Sequence, residues 1–294
     1  MVTWKGETRG GVSGYMFFVT ILKYSGLPVA YFFLRFVSAY FFLFAPTSFK
    51  HMFAFYHKTL GFSLIKAVQF IYRNYFLFGQ ILLDKTAIMA GFKTNLSFEF
   101  EGEEHLHRMV EENKGGFLIS AHIGNFEMAG HLLKRLNARI NIVMYDGDHQ
   151  KIKDYLAGIL QNNVNIICIK DDMSHVYELH KAIDNKEIIC IHGDRFVDEK
   201  NVIEMNFLGN SALFPLGPFI LPVRYSIPVS FVFAMKESRN HYHLYATPGK
   251  VFKRGLIRNH KETSMEIISE YIAQVERMVQ KYPNQWFNYY EFWK

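Results

Sequence analysis

The chain has 294 residues, with 33 Lys and Arg against 27 Asp and Glu for a formal net charge of +6, and half of it is apolar, including 29 Phe and 17 Tyr. This content excludes a disordered or low-complexity chain, and the length suits one large α/β domain or two small ones. Cys168 and Cys190 stand in the apolar runs NIICIK and EIICIH with no CxxC or Cys/His pattern, so they read as reduced core thiols, and neither a disulfide framework nor a zinc site is expected.

The basic excess comes without Arg-rich runs or a reading motif, so nucleic acid is not an expected partner; an acidic membrane surface or acidic protein suits it equally well. From the N-terminus, GYMFFVTILKYSG is followed by LPVAYFFLRFVSAYFFLFA, 19 residues at 27–45 with a single charge, Arg35. That approaches the roughly 20 residues needed to cross a bilayer. A central Arg would cost about 2.5–3.5 kcal/mol at mid-membrane, so a span and an interfacial helix both stay open. Gly26-Leu27-Pro28 punctuates the two pieces, which predicts a hairpin or broken helix lying against lipid. The only small-residue cleavage site, Val37-Ser38-Ala39, lies inside the apolar stretch, which argues against a removable signal peptide. Residues 1–45 are therefore read as a membrane-associated segment and 46–294 as one α/β domain of catalytic size.

After Pro46 helical periodicity resumes, with Thr47 or Ser48 as the expected cap and an interruption at Gly61, predicting two or three helices up to Gly91. Beyond Ser97, β-rich runs alternate with amphipathic ones: strand SFEFEG, helix 103–113, strand GFLIS, helix 126–136, strand INIVMY, helix 150–161, strand NIICI, helix 174–183 and strand EIICIH. Such alternation implies βαβ crossovers. The fold class expected is α/β: a mostly parallel central sheet flanked by helices, with a hydrophobic N-terminal helical membrane anchor. PVSFVFAMKE and YHLYATP, separated by Ser238-Arg239-Asn240, predict a hairpin, and a final helix is expected over 262–281.

The turn after GFLIS reads Ala121-His122-Ile123-Gly124-Asn125-Phe126-Glu127. Ligands bind at the carboxyl ends of parallel strands, where a following helix aims free N–H groups into the site. On one regular helix His122 and Glu127 would point about 140° apart. The pairing works if His122 precedes the helix, Gly124-Asn125 makes the turn and cap, and Glu127 sits in the first turn. Glu127 would then orient the imidazole while its other nitrogen takes a proton. No protein nucleophile is needed when the substrate brings a hydroxyl to an acyl thioester.

This H-x4-E arrangement resembles the H-x4-[DE] motif of the glycerolipid acyltransferase superfamily, and its surroundings resemble the bacterial lipid A late acyltransferases, the lauroyl and myristoyl transferases. The resemblance extends to Trp4-Lys5-Gly6 before the hydrophobic anchor, to the block FLGNSALFPLGPFILPVRYSIPVSFVF, and to Pro283-x-Gln285-Trp286-x-Asn288-Tyr289, where Phe287 replaces the family's usual second Trp. It covers essentially the whole chain in order. It implies an enzyme on the cytoplasmic face of the bacterial inner membrane, moving an acyl group from acyl carrier protein or coenzyme A to a lipid hydroxyl. No bound cofactor or metal is implied. By this resemblance His122 is the general base and Glu127 its orienting partner. Asn125 belongs to the same substrate-binding turn, and the Gly193-Asp194-Arg195 turn would hold an acceptor phosphate or carboxylate, or polarise the thioester carbonyl. The segment ending in Gly217 would line the site. The family often carries an Arg-containing turn after INIVMY, where this chain has Asp146-Gly147-Asp148-His149. That leaves lipid A-type, amino-acid-lipid and lysolipid acceptors open.

Plainer readings stand beside these. Asp194 and Arg195 can close their turn as a structural ion pair. His192 reads as a strand-end residue, and His105-x-His107 and His241-x-His243 as structural or exposed histidines. Lys250, Lys253, Arg254, Arg258 and Lys261 form a basic stretch suited to an acidic carrier or to anionic headgroups, or simply a solvated face. A thioesterase using the same dyad on water, and a non-catalytic lipid-binding protein, are the alternative functions. G-x-S-x-G, G-x-x-x-x-G-K-[ST] and G-x-G-x-x-G do not occur, so serine hydrolase and nucleotide-dependent functions have no support.

Overall fold

A computed structural model describes residues 11–125, 136, 138–145, 164–169, 172, 174–196, 201–252 and 260–294. The N-terminal apolar run folds as α1, Gly11–Phe44, broken at Gly26, whose φ of 75° suits a residue without a Cβ, with Pro28 just beyond. Leu22, Leu27, Ala30, Tyr31 and Leu34 recur at helical spacing and bury against Leu83 and Ala87. Those partners lie on α3, Leu64–Met89, whose N-terminus is capped by Ser63 accepting from the Lys66 N–H. Helix α2, Pro46–Phe53, and a π-helical turn, Ala54–Thr59, join the two. Pro46 itself opens α2 behind Ala45, which makes no side-chain cap, so the expected cap at Thr47 or Ser48 does not form. Proline at a first helical position has a preset φ and no N–H to satisfy, which makes a cap less necessary. By length and composition α1 is, among the described residues, the one helix able to cross a membrane.

The predicted strands appear as β1, Ser97–Glu101; β2, Gly116–Ser120; β3, Ile140–Tyr145; β4, Val164–Ile169; and β5, Ile188–His192. Helix α4, Glu103–Glu111, follows β1, and α5, Ser174–Asp184, precedes β5. The helices expected at 126–136 and 150–161 lie outside the described residues, apart from Leu136. Strands β8, Val229–Lys236, and β9, His241–Ala246, form the predicted hairpin, and the last helix, α7, is His260–Lys281.

Seven strands make one sheet in the order β1-β9-β8-β2-β5-β3-β4. Every described pairing within this sheet is parallel except β8 with β9. Central strands β2 and β8 are buried along their whole length, as strands covered on both faces must be.

The block after residue 200 forms a separate antiparallel hairpin of β6, Val202–Phe207, and β7, Asn210–Pro215, before α6, Gly217–Tyr225. Leu208 and Gly209, both at positive φ, make its two-residue turn. After α7 the chain end returns to the core. Trp286 is buried among the rings of Phe55, Phe207, Phe292 and Trp293, with centroids 4.7–5.6 Å away. Such ring clusters add about 0.5–1.5 kcal/mol per pair beyond their area.

Candidate functional site

Strands β2 and β5 are parallel neighbours, with Ser120 opposite His192. His122 and Asp194 each stand two residues past that pair, so the register delivers both to one height at the carboxyl edge of the sheet. His122 Nδ1 lies 2.8 Å from Asp194 Oδ1, and the His122 backbone N–H donates to Asp194 Oδ2 at 2.9 Å. One buried carboxylate thus fixes both the backbone and the ring, while the imidazole keeps 21% of its surface exposed.

Burial pushes the Asp194 carboxyl upward, but the charge and hydrogen bond of His122, helped by Arg195, outweigh it and hold the group below the usual carboxylate range. Burial pushes the His122 imidazole below its ordinary value, against the pull of Asp194. The resting pair is therefore a carboxylate accepting from the Nδ1–H of a neutral imidazole. In that tautomer Nε2 is the atom with a lone pair for a proton. The His192 ring, its centroid 4.5 Å from that of His122, is pushed down to about 3, by burial first and then by His122, so it brings no cation to the pair.

The turn carrying His122 is held by the C-terminal signature. The Phe287 N–H donates to the His122 carbonyl at 3.1 Å, and the Gly124 N–H to the Gln285 carbonyl at 2.9 Å, which makes an antiparallel bridge between Ile123 and Trp286. Gln285 is tied in turn to the end of β8, accepting from the Lys236 N–H at 2.9 Å and donating to the Lys236 carbonyl at 2.8 Å. Asn74 on α3 donates to the carbonyls of Asn284 and Trp286. Gly124 has φ 60°, and a Cβ there would stand 2.3 Å from the Ala234 carbonyl oxygen. Gly124→Ala is therefore expected to cost at least about 2 kcal/mol and to lower activity at this site as the turn shifts. Unchanged melting temperature and rate would show that the turn does not need this glycine.

Arg195 donates from Nη2 to the Phe287 carbonyl at 2.8 Å and stacks 5.5 Å over the Tyr290 ring. Its Nε is buried with no hydrogen-bond partner among the described residues. The ion pair considered between Asp194 and Arg195 does not form: Asp194 is taken by His122 and Arg195 by the C-terminal segment. Asn125 is buried, its N–H donating to the Ala234 carbonyl and its side-chain amide to the Tyr242 hydroxyl at 3.3 Å. A Cβ on Gly217, at the start of α6, would meet nothing within 4 Å, so open space rather than close packing surrounds it. Glu127 lies outside the described residues, as do the Asp146-Gly147-Asp148-His149 turn and the basic residues Lys253, Arg254 and Arg258. Lys250 pairs with Glu266 and Glu270 on α7.

The structure thus brings His122, Asp194 and Arg195 to one edge. Sequence reasoning placed Asp194 in the site but missed it as the partner of the His122 ring. The available signal was the shared offset: each residue stands two places past an apolar strand.

A comparison with protein-family models matches residues 15–294 to the family described as bacterial lipid A biosynthesis acyltransferase. No curated protein matches the chain significantly.

Proposed function

The chain belongs to the bacterial lipid A biosynthesis acyltransferase family and is an acyltransferase; from this premise we propose that it esterifies a hydroxyl of a lipid acceptor with a fatty acyl group taken from a thioester, using His122 as general base and Asp194 to orient it. The observation that carries this reading is the 2.8 Å contact between His122 Nδ1 and Asp194 Oδ1 at the carboxyl edge of a parallel sheet. In a ternary complex His122 Nε2 takes the acceptor's hydroxyl proton as its oxygen attacks the thioester carbonyl. The tetrahedral intermediate then collapses: the C–S bond breaks, the ester C–O bond remains, and the imidazolium returns the proton to the departing thiolate.

Arg195 is the donor assigned to an oxyanion, on the acceptor headgroup or on the intermediate, because its guanidinium sits beside the pair with a buried Nε–H that has no partner among the described residues. Glu127 keeps a supporting role by resemblance, Asn125 and Gly217 shape the acceptor side, and residues 46–294 form the catalytic unit. Acyl carrier protein or coenzyme A brings the acyl group. The acceptor is a lipid A-type, amino-acid or lysolipid hydroxyl, reached from the cytoplasmic face of the inner membrane.

The test is transfer of radiolabel from acyl carrier protein and from acyl-coenzyme A into a bacterial lipid extract by wild type and by His122→Ala. Label in a new lipid, with wild type only, supports the reading and identifies the acceptor by mass. Label in free fatty acid would replace it with a thioesterase, and equal transfer by the variant would move the chemistry to another residue.

The same assay carries a pH prediction. Because burial lowers the His122 pKa, the base stays neutral through neutral pH, and it is lost only as pH falls through the lowered value. The rate is expected to be flat near neutrality and to fall on the acid side with an apparent pKa below about 6.5. An acid limb centred above about 7 would contradict a desolvated His base.

A further inference from the structure

The chain's net charge is concentrated in one layer. Residues 11–83 carry six basic side chains, Lys23, Arg35, Lys50, Lys58, Lys66 and Arg73, and no acidic one. Removing these six from 33 leaves 27 basic residues against 27 acidic ones, so the rest of the chain is neutral and this stretch accounts for the whole +6. All six are exposed, and none of them pairs with a carboxylate among the described residues. Lys66 instead lies 3.7 Å from the centre of the Phe62 ring, and Arg73 5.5 Å from that of Phe70.

The same layer presents most of the exposed large apolar side chains among the described residues, Tyr177 and Met265 lying elsewhere. Tyr24, Phe32, Phe36, Tyr40, Leu43 and Phe44 line the side of α1 opposite its buried stripe, and Leu64, Ile65 and Val68 open α3. Scattered apolar residues need no explanation on a soluble surface, but an aromatic helix side in a stretch whose six cations have no carboxylate partner among the described residues does.

The geometry disfavours a perpendicular span. The break at Gly26 leaves the segment from Leu27 to Phe44, about 27 Å at 1.5 Å per residue, and Arg35 stands at its middle. The buried stripe of α1 runs antiparallel along α3, with Tyr31 at Asp84, Leu34 at Gly79 and Phe42 at Tyr72. Helix α3 is itself bound to the catalytic turn's clamp through Asn74. Burying α1 through a bilayer would strip it from α3 or drag Lys66 and Arg73 inward with it.

We propose that the exposed face of α1 and α3 docks in the plane of one leaflet of an anionic bilayer, aromatic side chains at the acyl boundary and the six cations among acidic headgroups. Each cation near such a surface strengthens binding by about fivefold, and the contribution is screened by salt. The proposal is independent of acyl transfer, so it is read by binding without turnover.

The experiment uses the full chain, diluted from detergent into phosphatidylcholine vesicles with or without 30 mol% phosphatidylglycerol (about a third anionic lipid, a plasma-membrane-like surface charge), and separated by flotation. Wild type is expected to bind the anionic vesicles at least about tenfold better, and Arg35→Gln/Lys66→Gln/Arg73→Gln, which removes three of the six cations, to lower that preference at least about fivefold with its melting temperature unchanged. A nitroxide on Phe36→Cys is expected to report a depth of about 5–10 Å, at the headgroup and acyl boundary. Cys168 is buried and burial pushes the Cys190 thiol up to about 12, so neither competes for the label. Equal binding to both vesicles, a triple variant whose preference matches that of wild type, or a label at the bilayer centre would overturn the proposal. So would loss of acyl-carrier-protein binding by the triple variant with vesicle binding intact. A protein that binds as expected yet transfers no acyl group would count against the proposed reaction alone.

Discussion

Replacing Asp194 by Asn is expected to lower kcat about 10³–10⁴-fold while leaving KM for both substrates within about threefold. The carboxamide keeps the size of the carboxylate and can still accept from the His122 backbone N–H. Its NH2 group, however, would face Nδ1, which now donates to Asp194 Oδ1. The ring proton would move to Nε2, the atom proposed to receive the acceptor's proton, and the imidazolium would lose its countercharge. Most of the loss therefore falls on the chemical step rather than on binding. Residues acting as one unit are non-additive, so Asp194→Asn placed in His122→Ala should cost almost nothing further. A merely structural Asp194 would lower the melting temperature and would add its loss to that of His122→Ala. Glu127→Gln belongs in the same series. If Asp194→Asn stays within tenfold of wild type while Glu127→Gln falls about 10³-fold, the orienting role passes to Glu127.

How much of this was legible in the sequence follows from the range of each interaction. Strands GFLIS, INIVMY, NIICI and EIICIH fall within a residue or so of β2 to β5, because period and length are local properties. The broken N-terminal helix followed from Gly26 and Pro28 for the same reason. His122 was legible as the residue just beyond a strand. Its pairing with Asp194 was not, since it depends on β2 and β5 being neighbours, and the order in which parallel strands lie in a sheet is set by crossovers rather than by local pattern. The hairpin of β6 and β7 was read only as a lining segment. Its turn, Leu208-Gly209, places a leucine at positive φ, against the residue's own preference. The C-terminal Pro-x-Gln-Trp signature was visible as a motif but its task was not. That task is to bridge residues 122–124 in space from more than 160 positions away in the chain.

Lys236→Met is expected to destabilise the protein by about 3–5 kcal/mol and to lower its apparent melting temperature by about 6–20 °C. Lys236, on β8, meets Asp84, on α3, at 2.5 Å, with 1% and 0% of the side chains exposed. Burial pushes the Asp84 carboxyl up and the Lys236 ammonium down, and each charge opposes the shift of the other. The ionised form prevails because its partners are complete. Asp84 accepts from Lys236, Tyr31 and Tyr242, while Lys236 also donates to the Arg239 carbonyl at 2.8 Å. Methionine fills the volume but leaves a carboxylate buried without its countercharge, which is the costly half of breaking such a pair. Asp84→Leu/Lys236→Met removes both charges and is expected to recover more than half of the loss. Melting scans at one fixed rate suffice for the comparison, since unfolding of a membrane-associated protein is rate-dependent. Equal losses in the single and double variants would mean that the lysine contributes through packing alone. The pair joins Tyr31 of α1 and Asp84 of α3 to β8, and through Tyr242 to Asn125 in the turn that carries His122. The cost of breaking it therefore measures how firmly the layer assigned to the membrane is fastened to the sheet that carries His122.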